Sequence, residues 1–277
     1  MAYMFSNLLV DIYTELGQLR VGRASGGSAS TLEDETLAGK HSDDEWKGGV
    51  IFVIEAEGAA PGEEFSAVSS FDTAAGIFSL ASVMSAAIEA GDRYGLASAF
   101  YPLETMIELA NAGVRALGDI PLVDDLTLLT SESTYVATLE WTRRRPLRID
   151  YLAVPGSSTT DPWRTLHDWD FVPAAPGANA LILFADALPA SRPLRIWYQA
   201  AHPVLRAFDD AVAASMAPEL AVSAGVERAL RWQAARLGSD ANLQARWQRA
   251  KEELELAKRS FPIWKPQRAA KMLSTQR

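Results

Sequence analysis

Two kinds of hydrophobic spacing alternate along this chain, and this alternation constrains its fold more than any other feature. Near the N-terminus, over residues 103–117 and beyond residue 218, apolar side chains recur at steps of three and four residues, which is the spacing of one helix face. Between these segments the apolar runs shorten to strand length among Gly, Ser and Thr. An apolar helix stripe must be buried against another element. The sequence therefore predicts an α+β fold: a helical bundle with two antiparallel β insertions and an extended C-terminal tail.

Capping residues set the expected ends of the helices. The bundle is predicted to contain an N-terminal helix, a central helix and a C-terminal helix pair. Pro102 fits the first position of the central helix, and Gly118 fits its end. Pro218 should start the third helix and Gly238 should stop it, while Asp240 is a good cap for the fourth.

The β regions are predicted from short β-branched and aromatic runs that are separated by turn residues. The candidate strands are residues 49–54, 65–68, 77–80, 135–139, 147–151, 180–184 and 194–198, and residues 81–90 are read as a possible helix. The resulting division is a helical core (1–23, 96–120 and 205–260), a first β insertion (24–95), a second β region (121–204) and a tail (261–277).

One short sequence occurs twice in the second β region. Residues 145–151 and 192–198 share the order Arg-Pro-Leu-Arg-Ile-x-Tyr and are alike at six of seven positions. Seven residues do not establish a repeat architecture. They predict two similar strands of one sheet, with Leu, Ile and Tyr on one face and Arg on the other.

Charge divides the chain into an acidic body and a basic C-terminal part. Residues 225–277 carry 12 Lys and Arg against 5 Asp and Glu, whereas the whole chain has a net charge of −9. This balance argues against a protein that coats nucleic acid with its whole surface. The basic part fits either a solvated helix with a frayed end or a tail that docks on an acidic partner.

The tail after residue 260 cannot continue a helix, because Pro262 and Pro266 interrupt it. Phe261, Ile263 and Trp264 are large apolar side chains placed among basic residues. Such a segment has the composition of an interface hot spot.

No motif predicts catalysis, a cofactor or a metal. Phosphate-binding glycine loops and the Gly-x-Ser-x-Gly motif are absent, and the chain has no Cys. His41 lies in an acidic loop that supplies little of a metal site. Asp168 and Asp170, beside His167, fit either an acid/base pair or the face of a β-hairpin. We expect no enzyme, no membrane span and no signal peptide.

Two further clusters fit contacts with other molecules. Arg143, Arg144 and Arg145 could touch phosphate, end a strand or meet an acidic neighbouring subunit. Trp232 and Arg236 share the second face of the third helix, which indicates burial on two sides or contact with another chain. An alternative reading is a carbohydrate-binding β domain, and its candidate aromatic residues are Trp141, Trp163, Trp169 and Trp197.

The order of the segments resembles that of a known family. An N-terminal helix and a Gly- and Thr-rich β insertion are followed by a join over residues 90–97, which leads into the helix of residues 100–112. A β region and a helix pair with a basic, proline-containing tail complete the order. This layout resembles the head–tail connector (adaptor) proteins of tailed bacteriophages, best over 1–120 and 205–277, about two thirds of the chain.

The resemblance implies a structural protein of the virion neck that is made in the host cytoplasm. It implies a ring of about twelve subunits below the portal, with DNA passing through the lumen unbound and a further neck or tail protein beneath. The C-terminal segment would grip the portal, and the docking residues would be Phe261, Ile263, Trp264, Lys265, Arg268 and Lys271. Trp232, Arg236 and Arg143–Arg145 would lie at subunit interfaces. A stopper or tail terminator ring is the alternative within the same class.

Overall fold

The structure is a computed structural model that describes residues 2–56, 62–127, 132–136, 145–152, 163–175, 178–188, 193–238 and 240–266. The chain divides into two compact units. Unit 1 comprises residues 1–117 and 203–262, and unit 2 comprises residues 118–202 and 263–277.

Four α-helices are present among the described residues, and all of them belong to unit 1. They are α1 (Phe5–Glu15), α2 (Leu103–Ala116), α3 (Pro218–Leu237) and α4 (Ala241–Ser260). The predicted limits of the C-terminal pair are confirmed. Pro218 begins α3, Gly238 follows it with φ 75°, and the Asp240 carboxylate accepts hydrogen bonds from the N–H groups of Asn242 and Leu243.

Unit 1 also contains a seven-stranded antiparallel sheet. Its strands are β1 (Leu19–Arg23), β2 (Gly26–Ser28), β3 (Thr31–Glu33), β4 (Val50–Glu55), β5 (Phe65–Asp72), β6 (Ile77–Leu80) and β7 (Arg93–Ala97). The strand order is β1-β7-β4-β5-β6-β3-β2. Strand β4 is apolar without alternation because both of its faces are buried. Phe52 meets Tyr13 of α1, whereas Ile51 and Val53 belong to a separate apolar cluster.

Unit 2 is built from two smaller antiparallel sheets. Its strands are β8 (Ile120–Thr127), β9 (Glu132–Val136), β10 (Arg148–Leu152), β11 (Trp163–Leu166), β12 (Trp169–Val172), β13 (Leu181–Leu188) and β14 (Pro193–Ala200). One sheet has the order β11-β10-β14-β8 and the other β12-β13-β9. Their inner faces share one core, to which Ile149, Ile182 and Ile196 contribute fully buried side chains.

The predicted helical bundle with β insertions is wrong. Within the described residues, 14 strands in three antiparallel sheets outnumber the four helices. The first β region is not an insertion, because its sheet starts at Leu19, ends at Ala97 and lies in the same compact unit as the four helices. The sequence pattern overestimates how much of the fold is helical, because a regular apolar stripe is easier to recognise than short strands that pair with distant residues.

Three local predictions also differ from the structure, and two of these differences have a clear physical cause. The predicted helical core includes residues 1–23, but α1 ends at Glu15, Gly17 has φ 68° and turns the chain, and Leu19 starts β1. Residues 81–90 contain no helix. The part of the predicted helical core at 205–217 is also not helical, and there the Asp210 carboxylate instead accepts the N–H groups of Arg206 and Ala207 in a turn.

The helices of unit 1 pack tightly at two glycines. A Cβ on Gly113 of α2 would lie 2.7 Å from the backbone oxygen of Ala224 in α3. A Cβ on Gly225 would lie 2.3 Å from the Ile12 side chain in α1. Helix α3 therefore touches α1 and α2 at nearly the same level, and α4 packs on α3 as well.

The repeated sequence behaves as predicted. Strands β10 and β14, which carry the two copies, are antiparallel neighbours in one sheet, with Ile149 opposite Ile196. In β14 the side chains of Leu194, Ile196 and Tyr198 are buried, and that of Arg195 is only half-buried.

Candidate functional site

The C-terminal segment begins where α4 ends at Ser260. Phe261 and Trp264 are 40% and 56% exposed, which is high for large apolar side chains. Lys265 is also exposed, Ile263 is half-buried and Pro266 is buried. Arg268 and Lys271 lie outside the described residues. The described part of the segment therefore offers two exposed aromatic rings next to a cation.

Trp264 rests on a ring that unit 2 holds in place. Its ring centroid lies 5.7 Å from that of Trp197, with the two planes at 70°. The Trp197 Nε1–H group donates to the Asp150 carboxylate at 3.0 Å. This carboxylate is buried and also accepts from the Thr165 hydroxyl at 2.8 Å and from Arg148 Nε at 2.5 Å. A satisfied buried carboxylate therefore orients the ring that contacts Trp264.

Trp232 and Arg236 are neighbours on α3, as their spacing predicts. The Arg236 guanidinium carbon lies 5.3 Å from the Trp232 ring centroid. On its other side Trp232 packs against Tyr101, at 5.9 Å between centroids, and the Tyr101 hydroxyl donates to Gln233. Burial raises the pKa of Tyr101 to about 12. One side of Trp232 is thus explained within unit 1, and its role at a subunit interface stays a prediction.

Of the three consecutive arginines, Arg143 and Arg144 lie outside the described residues. Arg145 is exposed, and its guanidinium carbon lies 4.8 Å from the ring centroid of Trp169. Arg195 covers Trp163 in the same way, at 3.9 Å. Trp169 is buried, and Trp163 and Trp197 are half-buried. These rings pack within unit 2, an arrangement that favours a structural role over a sugar-binding cleft, while Trp141 lies outside the described residues.

The histidines and carboxylates considered for chemistry sit in ordinary surface structure. His41 Nδ1 lies 3.2 Å from Glu45 Oε1, and its Nε2 lies 3.3 Å from Arg20. A hydrogen bond from the Ser42 N–H group, together with that from His41, lowers the pKa of Glu45. The Asp170 carboxylate accepts the N–H of Phe171 at 3.0 Å. Among the described residues, no group of three or more His, Asp or Glu side chains is placed to hold a metal ion.

A groove with acidic walls opens between α1, α3 and α4. Its volume is about 460 Å³. Its floor includes Val222, Val226 and Ala250, and its charged lining residues are Asp11, Glu15, Glu219 and Glu253. We call this the acidic groove.

A second depression opens on the other side of α3 and α4, next to α2. Its volume is about 200 Å³. Leu254 contributes an apolar wall, and its charged lining residues are Arg228, Arg231, Lys251 and Lys258 together with Glu227 and Glu255. We call this the basic cleft.

Sequence reasoning missed both depressions. The acidic groove combines residues that are far apart in the sequence, such as Asp11 and Glu253, and only the packing of three helices brings them together. It also missed the link from Asp150 to Trp197. A signal was present, because these two residues occupy the one position at which the repeated sequences differ.

No helix in the described part of the chain is long and apolar enough to cross a membrane. No protein-family model matches the chain, and a search of curated proteins finds no match.

Proposed function

We propose that this chain is a ring-forming structural protein of the head–tail connector type. In this role it joins the portal of a tailed bacteriophage to the tail and continues the DNA channel. The proposal combines the layout resemblance with the surface of the C-terminal part, and it includes no catalytic step. As in the resemblance, the ring would contain about twelve copies.

The observation that carries the proposal is the exposure of Phe261 and Trp264 beside Lys265. Leaving two large apolar rings in water is unfavourable, and burying one contributes roughly 1.5–3 kcal/mol. Aromatic anchors surrounded by charge are typical of binding hot spots. Basic residues follow them and acidic ones do not, since residues 258–277 carry six Lys and Arg and no Asp or Glu. The matching partner surface is therefore acidic with apolar pockets.

Helix α4 supports the same role. Only Leu243, Ala250 and Ala257 are buried along its 20 residues, so α4 packs on the rest of unit 1 through one narrow face. Leu256 lies outside this buried face and is 64% exposed. A helix that buries so little within its own chain is suited to contacts with other subunits. The acidic body suits a lumen through which DNA slides, because like charge opposes phosphate capture.

The test is capture on the cognate portal protein. The chain shortened to residues 1–260 and the double variant Phe261→Ala/Trp264→Ala are each compared with the full chain. The matched control is Val83→Ala, which trims another exposed apolar side chain, at 75% exposure. We expect the control to bind like the full chain and the other two to lose at least about tenfold in affinity.

Unchanged portal binding by the shortened chain would refute docking through the tail. A ring that assembles but ignores the portal would point instead to a stopper or tail terminator. Thermal unfolding of each variant shows that the fold is retained, which is needed because Trp264 also contacts Trp197.

A further inference from the structure

We infer that copies of this chain associate head to tail, with the exposed carboxylates of the acidic groove of one copy facing the exposed cations of the basic cleft of the next. The inference rests on the proposed ring and names the two surfaces that would build it. Its occupant is a second copy of the chain, selected by opposite charge and by apolar contact.

The acidic groove has the carboxylate lining that is suited to binding cationic side chains. Glu15 and Glu219 are exposed at its rim. Asp11 already accepts a hydrogen bond from the Tyr3 hydroxyl at 2.5 Å, and Glu253 forms an exposed pair with Arg249 at 3.2 Å. Glu15 and Glu219 are therefore the carboxylates best placed to meet a partner. Val222 and Val226 below them are half-buried and give that partner an apolar floor.

The basic cleft carries surplus positive charge. Its two carboxylates are already engaged, since Glu227 accepts from Trp247 Nε1 at 3.0 Å and Glu255 accepts from Lys258 Nζ at 2.7 Å. Arg231 and Lys251 are exposed at its rim. These two cations are the counterparts of the free carboxylates in the acidic groove.

The placement of the two surfaces excludes pairing within one copy. Glu253 and Lys251 are two residues apart on α4 and so point about 200° apart around its axis. Helix α1 lines the acidic groove, whereas α2 lines the basic cleft. Complementary surfaces on opposite sides of one helix pair can meet only between copies. Because two different patches meet, the contact is heterologous, and a heterologous contact that closes gives a ring.

Charge also explains why a second copy is favoured over a nucleic acid. The acidic groove repels phosphate, and a phosphate in the basic cleft would meet Glu227 and Glu255 as well as the cations. Opposite charges placed across an interface fix its register and suppress wrong partners.

The test uses two charge-reversal variants. Variant A is Glu15→Lys/Glu219→Lys, which makes the groove basic. Variant B is Arg231→Glu/Lys251→Glu, which makes the cleft acidic. All four positions are exposed, so folding should be retained, and circular dichroism with thermal unfolding checks this. The matched controls are Glu104→Lys/Glu108→Lys and Lys40→Glu/Lys47→Glu, which change exposed charges away from both surfaces.

Sedimentation velocity then compares wild type, each variant, and A mixed with B. Variants A and B alone should associate about a hundredfold more weakly than wild type, because like charges face each other. Their equimolar mixture should recover wild-type association. The basic groove of A is opposite in charge to the acidic cleft of B, and the acidic groove of B is opposite in charge to the basic cleft of A. The restored assemblies should contain A and B in equal numbers. The controls should behave like wild type.

Wild-type association of A and B alone, or a mixture that stays dissociated, would overturn the inference. In either case a wild-type ring that still binds the portal would leave the proposed function standing. A wild type that stays monomeric both alone and with the portal would instead refute the proposed function, and this inference with it.

Discussion

Asp34 in unit 1 and Asp150 in unit 2 are both buried carboxylates that accept a hydrogen bond from an aromatic side chain on a sheet strand. The Tyr94 hydroxyl donates to Asp34 at 2.5 Å, and the Trp197 indole donates to Asp150 at 3.0 Å. Each aspartate is 3% exposed. In both units, one buried carboxylate fixes the position of a large ring.

The two rings differ in what lies on their other side. Tyr94 is 1% exposed and lies so close to Gly22 that a Cβ there would come within 2.6 Å of it. Trp197 is half-buried and contacts Trp264 of the C-terminal segment. The Asp34–Tyr94 pair is part of a closed core, whereas the Asp150–Trp197 pair connects a core to the segment that we propose for portal docking. Changes at Asp34 should therefore affect stability alone, and changes around Trp197 should also affect binding.

High pH should have the largest effect, and it should fall on unit 1. Burial raises the pKa of four tyrosines there, namely Tyr3, Tyr13, Tyr94 and Tyr101. Below about pH 10 the phenols are protonated in both states and their contribution is fully present. Above it the unfolded chain releases protons that the folded chain keeps, so stability falls as the pH approaches about 12, the pKa of Tyr101.

Hydrogen exchange resolved by unit, at about pH 8 and about pH 11, checks this loss of stability. Tyr94→Phe should reduce the pH dependence, since it removes one of the titrating groups. A loss of protection at high pH that falls mainly in unit 2 would contradict the comparison.

Asp34→Ala should cost about 3 kcal/mol of unfolding free energy, because it leaves the buried Tyr94 hydroxyl without an acceptor. It also removes two part-buried hydrogen bonds, which the N–H and hydroxyl groups of the exposed Thr36 donate. Urea unfolding measures the change. Glu35→Ala, at the exposed neighbouring carboxylate, should change stability by less than about 0.5 kcal/mol. Equal effects of the two substitutions would show that the hydrogen bonds to Asp34 do not stabilise the core.

Trp197→Phe should lower the stability of unit 2 by about 1–2 kcal/mol, because it removes one donor to a buried carboxylate. Arg148 and Thr165 still satisfy Asp150, so the fold should survive. The altered ring should also weaken portal binding. Trp163→Phe is the control, since Arg195 covers that ring. Portal binding that falls equally in both variants would break the proposed link to Trp264.

Trp264→Ala should have the smallest effect on stability, about 1 kcal/mol or less, because the side chain is more than half exposed. Its effect on portal capture should be much larger, at least about tenfold. This contrast separates a docking residue from a packing residue. A large loss of stability with unchanged capture would assign Trp264 to the core of unit 2 instead.

The sequence predicts the elements that local chemistry specifies. Pro218, Gly238 and Asp240 set the limits of the C-terminal helices through their own backbone and capping preferences. The repeated sequence correctly places β10 beside β14. Strands β1 and β2 are among several that the sequence did not predict. They are short, partly polar and contain Gly, and β1 pairs with residues 93–97, about 70 positions away.

The candidate surfaces also differ in whether a local stretch of sequence specifies them. The apolar anchors Phe261 and Trp264 can be recognised from a few consecutive residues next to Pro262 and Pro266. The acidic groove cannot, because it depends on how α1, α3 and α4 pack, and that packing depends on the contact of Gly225 with Ile12. Local rules do not specify contacts between residues that are distant in the chain.

The most direct test of the account is native mass spectrometry of the full-length chain, alone and mixed with its cognate portal. The account predicts a closed ring of identical subunits, about twelve, that forms alone or on the portal and remains bound to it. A chain that stays monomeric under both conditions would contradict it.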